Sequence, residues 1–333
     1  MARKPRSKKQ IPEAAADLIA ALDFVKVAQR DTGDARQTHC RIGGGYVAVN
    51  DGIISAAAPL PDDLDACPHT LQLRHALSKC GQTFKAVAQP GRLTVRSGRY
   101  RAVVPTVEPH TLPDATPDPA VAVVDDRIKA SLLAVAPLAA DSDARVAYAS
   151  ILLRAGSAVA TNGHCVLEHW HGIDLPPGLV LPKASAVAVA KVDAPMTGFG
   201  FSGHSATFHY EGGLWIKTQL YSEAYPNVDA VLNAETEPKK VQPRKLAEAW
   251  DAVGKFCDQF VFFRNGEMRS SWSDDHGAAY EINGIPDQSF NAKDFALVLP
   301  LIDTIDWTEF GKPAYFFGDS MRGVMLGTSK QSE

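Results

Sequence analysis

Four side chains that bind metals well lie within eight positions of one another in TNGHCVLEHWH, residues 161–171: His164, Cys165, His169 and His171. Imidazole and thiolate are ordinary tetrahedral ligands of zinc. His169 and His171, two apart on a strand, point to one face, where His164 could share a metal with them. A zinc enzyme would also need a fourth ligand at a recognisable spacing, or a general-base Glu as in HExxH, and neither is present. A second reading is a plain hairpin whose histidines are surface or satisfied polar groups.

Other chemistry has no visible home. The chain contains no GxxxxGK[ST], GxGxxG, GxSxG or HExxH, so neither nucleotide hydrolysis nor the familiar nucleophile chemistries are expected, and no cofactor or metal is implied. Five cysteines (Cys40, Cys67, Cys80, Cys165 and Cys257) are scattered without a CxxC pair and read as reduced, buried thiols. The net charge is −4, and −9 without the five basic residues of MARKPRSKKQ, so any nucleic-acid contact must use a local basic surface. No apolar run approaches the ~20 residues of a membrane span, and no apolar stretch follows the basic start as a secretory signal requires. We expect a cytoplasmic, non-catalytic protein.

The elements that would position these residues recur. Leu18, Leu22 and Val25 form an i, i+4, i+7 helical stripe, repeated as Ile128, Leu132, Val135 and as Leu246, Trp250, Val253, offset by 110 and then 118 residues. A second helical segment follows each first one, at 70–80, 180–192 and 290–302, and Leu77, Val187 and Leu297 coincide at an offset of 110. Between them lie strand-and-turn stretches such as HCRIGGGYVAVNDG and ASILLRAGSAVATNG, where Asn-Gly and Asp-Gly suit tight hairpins. These patterns predict an α+β fold of three tandem copies of a two-helix, antiparallel-sheet domain, at 13–118, 121–235 and 238–333. A basic flexible tail, 1–12, precedes them. Junctions fall at EPHTLPDATPDPA (108–120), with four prolines, and near NAETEPKKVQP (233–243).

Three copies of such a unit resemble the bacterial-type DNA sliding clamp, the DNA polymerase III beta subunit family, over essentially the whole chain after residue 13. The residues are more specific than the architecture. Arg145 leads RVAYASILLRAG, Thr161-Asn162-Gly163-His164-Cys165 stands where the family has ThrAspGlyHisArg, Pro182-Lys183 opens the second helix, and AYPNVDAVL (224–232) is similar to the family's Phe-Pro-Asp-Tyr segment. Cys165 departs from the family's hairpin Arg. Val324-Met325-Leu326-Gly327-Thr328 replaces its terminal Met-Pro-Met-Arg-Leu. Divergence of this kind fits a phage- or plasmid-encoded member.

The resemblance implies a ring-forming DNA clamp fold and a replication processivity factor. Two chains would close head to tail as a homodimer around double-stranded DNA and tether DNA polymerase and the clamp loader through short peptide motifs. It implies a groove lined by Tyr148 on the preceding strand, by Thr161, Gly163, His164, Cys165 and Val166 on the hairpin, and by Val324, Met325 and Leu326 on the last strand. Lys26, Arg30, Arg36, Arg74, Lys79, Arg127, Lys129, Lys183, Lys191, Arg244, Lys245 and Lys293, on the helices or beside them, would face the duplex non-specifically. The dimer edge is expected near RYRAVV (99–104) and VFFRNGEMRSSW (261–272). A clamp-like binding module that never encircles DNA is the alternative, and a zinc enzyme using His164, His169 and His171 a more distant one.

Overall fold

The structure, a computed structural model, describes residues 15–61, 64–81, 83–240, 243–307 and 310–328. The basic tail expected at 1–12 lies outside them. The first stretch runs through helix α1 (Ala16–Val25), the short α2 (Ala35–Thr38), strands β1 (Arg41–Gly43), β2 (Tyr46–Asn50) and β3 (Ile54–Pro59), helix α3 (Thr70–Leu77), and strands β4 (Lys85–Gln89), β5 (Arg92–Ser97) and β6 (Tyr100–Pro105). The second holds β7 (Ala122–Val123), α4 (Arg127–Val135), β8 (Ser150–Arg154), β9 (Ser157–Thr161), β10 (Cys165–Trp170) and β11 (Leu179–Pro182). It continues with α5 (Lys183–Ala190), β12 (Met196–Phe201), β13 (Ser205–Tyr210) and β14 (Trp215–Gln219). The second closes with α6 (Asp229–Leu232), and the third holds β15 (Lys239–Lys240), α7 (Pro243–Val253), β16 (Phe260–Arg264), β17 (Glu267–Arg269), β18 (Ala279–Glu281) and β19 (Gln288–Asn291). It ends with α8 (Ala292–Val298), β20 (Thr304–Asp306), β21 (Pro313–Gly318) and β22 (Met321–Leu326). Helix, three-strand meander, helix, three-strand meander therefore occurs three times in order.

Helical stripes bury as their spacing predicts, except that Trp250 on α7 is only half-buried and Ala249 completes the buried face in its place. On α7, Leu246, Ala249 and Val253 are buried while Arg244, Lys245, Glu248 and Asp251 are exposed, the signature of one apolar face at 3.6 residues per turn. The N-terminus of α8 is capped by Asn291, whose side chain accepts from the backbone N–H groups of Lys293 and Asp294, satisfying two donors that the helix cannot.

Two compact bodies form. One comprises the chain up to Asp125 with Lys191–Leu220. Its seven-stranded antiparallel sheet has the order β1-β2-β3-β14-β13-β12-β7, and β4-β5-β6 form a second sheet. Helix α1 packs on β2 and β3 beside α3, which packs on β6. The core includes Leu18, Leu22, Val25, Ile42, Val47, Leu73, Leu77, Leu93 and Val95.

The other body comprises Asp126–Ala190 and the chain from Tyr221. Its eight-stranded sheet has the order β11-β8-β9-β10-β22-β21-β20-β15, beside a four-stranded sheet β18-β17-β16-β19. Helix α4 lies on β9 and β10, and α5 on β8 and β11, while α7 packs on β17 and β18 and α8 on β16 and β19. Each body takes half of the middle stretch, because meanders pair edge to edge across the repeat junctions, β3 with β14 and β10 with β22.

Phe263 is the hub of the largest aromatic cluster, its ring 5.5 Å from Phe295, 6.1 Å from Phe290 and 5.0 Å from Trp307. It is 1% exposed, so Phe263→Ala removes well-packed area and leaves a cavity, costing about 3–5 kcal/mol. Urea unfolding followed by tryptophan fluorescence measures it; a loss below about 1 kcal/mol would show that the cluster does not organise this core.

Candidate functional site

The hairpin between β9 and β10 is built by its asparagine. Asn162 Oδ1 accepts from the backbone N–H groups of His164 (3.0 Å) and Cys165 (2.8 Å), and Gly163 sits at φ 88°, which lets the chain reverse in two residues. Thr161 Oγ1 donates to the Cys165 carbonyl at 2.8 Å and accepts from Gly163 N at 3.1 Å. A side chain at 163 would collide with the Tyr148 hydroxyl, so Gly163 has a second reason to be glycine. Tyr148 was expected on a strand. It stands instead on a 3-10 turn, Val146–Ala149, with the Arg145 guanidinium 3.9 Å from its ring centroid.

Strand register divides the expected groove residues between two faces. Val166 pairs with Thr161 on one side and Val324 on the other, and Cys165 pairs with Met325. Because successive side chains alternate, Thr161, Val166, Val324 and Leu326 share one face, and Cys165 and Met325 share the opposite one. The structure therefore does not bring Cys165 and Met325 to the groove. Both are buried on the helix-covered side, at 1% and 3% exposure, and burial raises the Cys165 thiol well above the ordinary thiol range. Thr161 is also buried, its hydroxyl engaged in the turn, and Val324 is 2% exposed. Gly163, His164 and Leu326 are exposed and Val166 half-buried.

Val166 and Tyr225 pack against a buried cluster of Leu152, Val159, Val180, Val228 and Leu232. Beside this apolar patch lies a hollow of about 350 Å³, lined by Leu152, Arg154, Gly178, Val180 and the segment 221–229. The sequence reading found AYPNVDAVL but not Leu152, Val159 or Val180. Their signal was the short apolar runs in SILLR, SAVAT and LVLP, which show buried strands but not which face another segment will cover.

That covering segment is held down by a buried charge network. Glu168, 2% exposed, accepts from Arg154, from Ser157 Oγ at 2.6 Å and from Arg322 Nε at 2.6 Å. Arg154 Nη1 reaches Asp229 at 2.8 Å, and Arg322 Nη1 donates to the Leu232 carbonyl at 3.2 Å and Asn233 Oδ1 at 2.9 Å. Burial pushes the Glu168 carboxyl up, and its bonds from Ser157, Arg154 and Arg322 more than offset this, leaving it below the usual range. On the opposite face, Asn162 Nδ2 donates to Asp294 at 2.8 Å; burial outweighs that bond and raises the Asp294 carboxyl.

The histidines do not converge. His164 is exposed at the turn, while His169 Nδ1 lies 3.0 Å from Ser131 Oγ on the helix side and His171 is 2% exposed. Among the described residues no group of three or more His, Cys, Asp or Glu side chains is arranged to hold a metal.

The candidate DNA-facing cations fall into three sets. Lys129 is 7% exposed against Asp126, 2.8 Å away, and Lys183 donates to the Ala139 carbonyl (2.6 Å) and Asp141 (2.8 Å), so both brace the fold rather than project from it. Arg74 and Lys26 share Asp23, Arg36 pairs with Asp34, and Arg244 pairs with Glu248. Arg127 is exposed at the start of α4. Arg30, Lys79, Lys191, Lys245 and Lys293 are exposed, with no ion pair found among the described residues.

Acid should weaken this region. Burial lowers the affinity of His169 and His171 for protons below the ordinary value of 6.5, and His171 Nε2 has no hydrogen-bond partner. A folded-state value depressed below the unfolded one means that stability is present above pH 6.5 and is lost as pH falls through the folded value. The melting temperature should drop between pH 7.5 and 5, less steeply in His171→Gln. An unchanged slope in that variant would clear His171 of the effect.

No family model and no curated protein matches the sequence. Solved structures do. A DNA polymerase sliding clamp from Bacillus subtilis superimposes with a TM-score of 0.81 at 13% identity, over 95% of this chain and 98% of that one. The corresponding clamp from Pseudomonas aeruginosa gives 0.76 at 14% identity over the same shares. The Helicobacter pylori beta clamp bound to a DNA ligase peptide gives 0.77 at 14% identity, over 94% of this chain and 98% of that one. With so few shared side chains the likeness is one of architecture, and it extends end to end: the chain has the fold of the bacterial DNA polymerase sliding clamps.

Proposed function

We propose that the protein is a DNA sliding clamp, a non-catalytic processivity factor. Two chains close into a homodimeric ring around duplex DNA, and the groove beside Val166 receives short peptides from a DNA polymerase, a clamp loader and other partners. The observation that carries this reading is the end-to-end match to clamp structures, one of them a clamp bound to a DNA ligase peptide. In this reading the three repeats are domains at 13–118, 121–235 and 238–333. Exposed helix cations such as Lys191, Lys245 and Lys293 face the phosphates of the enclosed duplex, where contacts are weak, non-specific and salt-dependent. Processivity then comes from topology, since a tethered polymerase finds its primer terminus again at high effective concentration. A cytoplasmic location goes with this role, and among the described residues no helix is long and apolar enough to cross a membrane.

Ring closure has a structural logic. At each internal junction the third strand of one repeat's first meander pairs with the third strand of the next repeat's second meander: β3 with β14, then β10 with β22. The strands left over by this rule are β18 and β6, and each ends its sheet. Pairing β6 of one chain with β18 of another satisfies both edges. Edge β6 is the one expected from the sequence; on the other side the edge shifts from 261–272 to Ala279–Glu281, because 261–272 spans the interior strands β16 and β17. Exposed Val103 and Tyr280 lie on the two edges, as do Arg101 and Glu281.

Light scattering should give twice the 35.8 kDa chain mass, and Val103→Glu should shift it towards the single-chain mass; a wild-type protein monomeric at micromolar concentration favours a clamp-like module without encirclement. In fluorescence polarisation with the DNA ligase peptide as probe, Val166→Glu should weaken binding at least tenfold, about 1.4 kcal/mol. Met325→Ala, whose side chain is on the helix side, should change affinity less than about threefold, well under 1 kcal/mol. Equal binding by Val166→Glu and wild type would reject the groove.

A further inference from the structure

We propose that the outer face of the β4-β5-β6 sheet is a docking surface for the phosphate backbone of nucleic acid, separate from the helix cations assigned to the enclosed duplex. The register places Lys85 opposite Arg96 and Arg96 opposite Arg101, three cations in one row across three antiparallel strands. Arg92 lies on the same face of β5, four residues before Arg96, and Arg99 is in the turn between β5 and β6. All five are exposed. Like charges directly opposite on neighbouring strands repel, so the arrangement costs stability in the free protein.

Carboxylates do not relieve it. The sequence has no Asp or Glu anywhere from Ala66 to Val107, although the whole chain is net acidic at −4. Many cations elsewhere are matched: Lys26 and Arg74 with Asp23, Arg36 with Asp34, Arg154 and Arg322 with Glu168, Lys217 with Asp118. For Lys85, Arg96, Arg99 and Arg101 no ion pair is found among the described residues, and Arg92 donates only to the neutral Gln89, at 2.7 Å. The sheet survives because its other face buries Leu93, Val95 and Val104.

The chemistry favours phosphate over an acidic protein. Four of the five cations are arginines, whose planar fork grips phosphate bidentately and is weakly hydrated. Between the cation row and Arg92 the face offers only Val87, Thr94 and Val103, none of them an aromatic anchor for a peptide. With no ring on which bases could stack, contact falls on the backbone and is indifferent to sequence.

The test uses full-length protein and a fluorescein-labelled, covalently closed single-stranded circle of about 40 nucleotides. A closed ring cannot thread this probe, and for a chain that forms no ring the helix variant below shows whether the circle binds the helices instead. Wild type should bind in a salt-dependent way. Arg92→Gln with Arg96→Gln should lose at least tenfold in affinity at 50 mM salt, with the slope of log K against log salt reduced by about 1.4, roughly 0.7 for each lost phosphate contact. At low salt the same variant should melt at or above the wild-type temperature, because repulsion is removed; this also shows that it is folded. Undiminished binding by the variant overturns the proposal. So does loss of binding in Lys245→Gln with Lys293→Gln instead, which would assign the circle to the helices, or tighter binding of labelled polyglutamate than of the circle, which would indicate an acidic protein.

Discussion

Two seams of backbone hydrogen bonds, β3 to β14 and β10 to β22, hold this architecture together. Each joins the meander of one repeat to that of the next, so an antiparallel sheet runs unbroken through a repeat boundary. Side chains alternate across these seams as they do within a meander. One face of a sheet can therefore be assembled from strands more than 150 residues apart, as Val166 and Val324 show. The same pairing explains why the middle repeat is divided between two compact bodies: its two sheets each belong to a neighbour's.

The groove region inherits its shape from the second seam. Val166 and Val324 are fixed in register, and Val166 joins Tyr225, Val228 and Leu232 of the covering segment in one apolar patch. Apolar contact alone does not set that segment's position. Glu168, buried on the same face, gathers Arg154 and Arg322, which in turn hold Asp229, Leu232 and Asn233. Removing the carboxylate would leave the partly buried Arg322 guanidinium without an ion pair and Arg154 with Asp229 alone, which is more damaging than never having built the network.

Charge is distributed with a similar economy. Several helix cations brace the protein through Asp23, Asp126 or Asp141, and only some remain exposed and unpaired. The β4-β5-β6 sheet is the exception, five cations without a carboxylate between Ala66 and Val107. A polypeptide with 38 acidic residues has ample means to neutralise such a face, and here they are placed elsewhere.

What the sequence determined by itself was local or periodic. Helical stripes at Leu18, Ile128 and Leu246, hairpin glycines such as Gly163, and recurrence at 110 residues were all legible, because propensity, turn geometry and amphipathic spacing act over a few neighbouring residues. The α+β class and the clamp resemblance followed from them. Tertiary structure alone decided which face each strand covers and what lies across each seam. One position in register separates Val166 from Cys165, and Val324 from Met325, and sends one of each pair to the groove face and the other beneath the helices. It also decided which cations brace the fold, since Lys183 and Lys293 begin equivalent helices 110 residues apart, yet Lys183 reaches back to the Ala139 carbonyl and Asp141 while Lys293 is exposed. Register and burial depend on residues distant in the chain, and no local pattern encodes them.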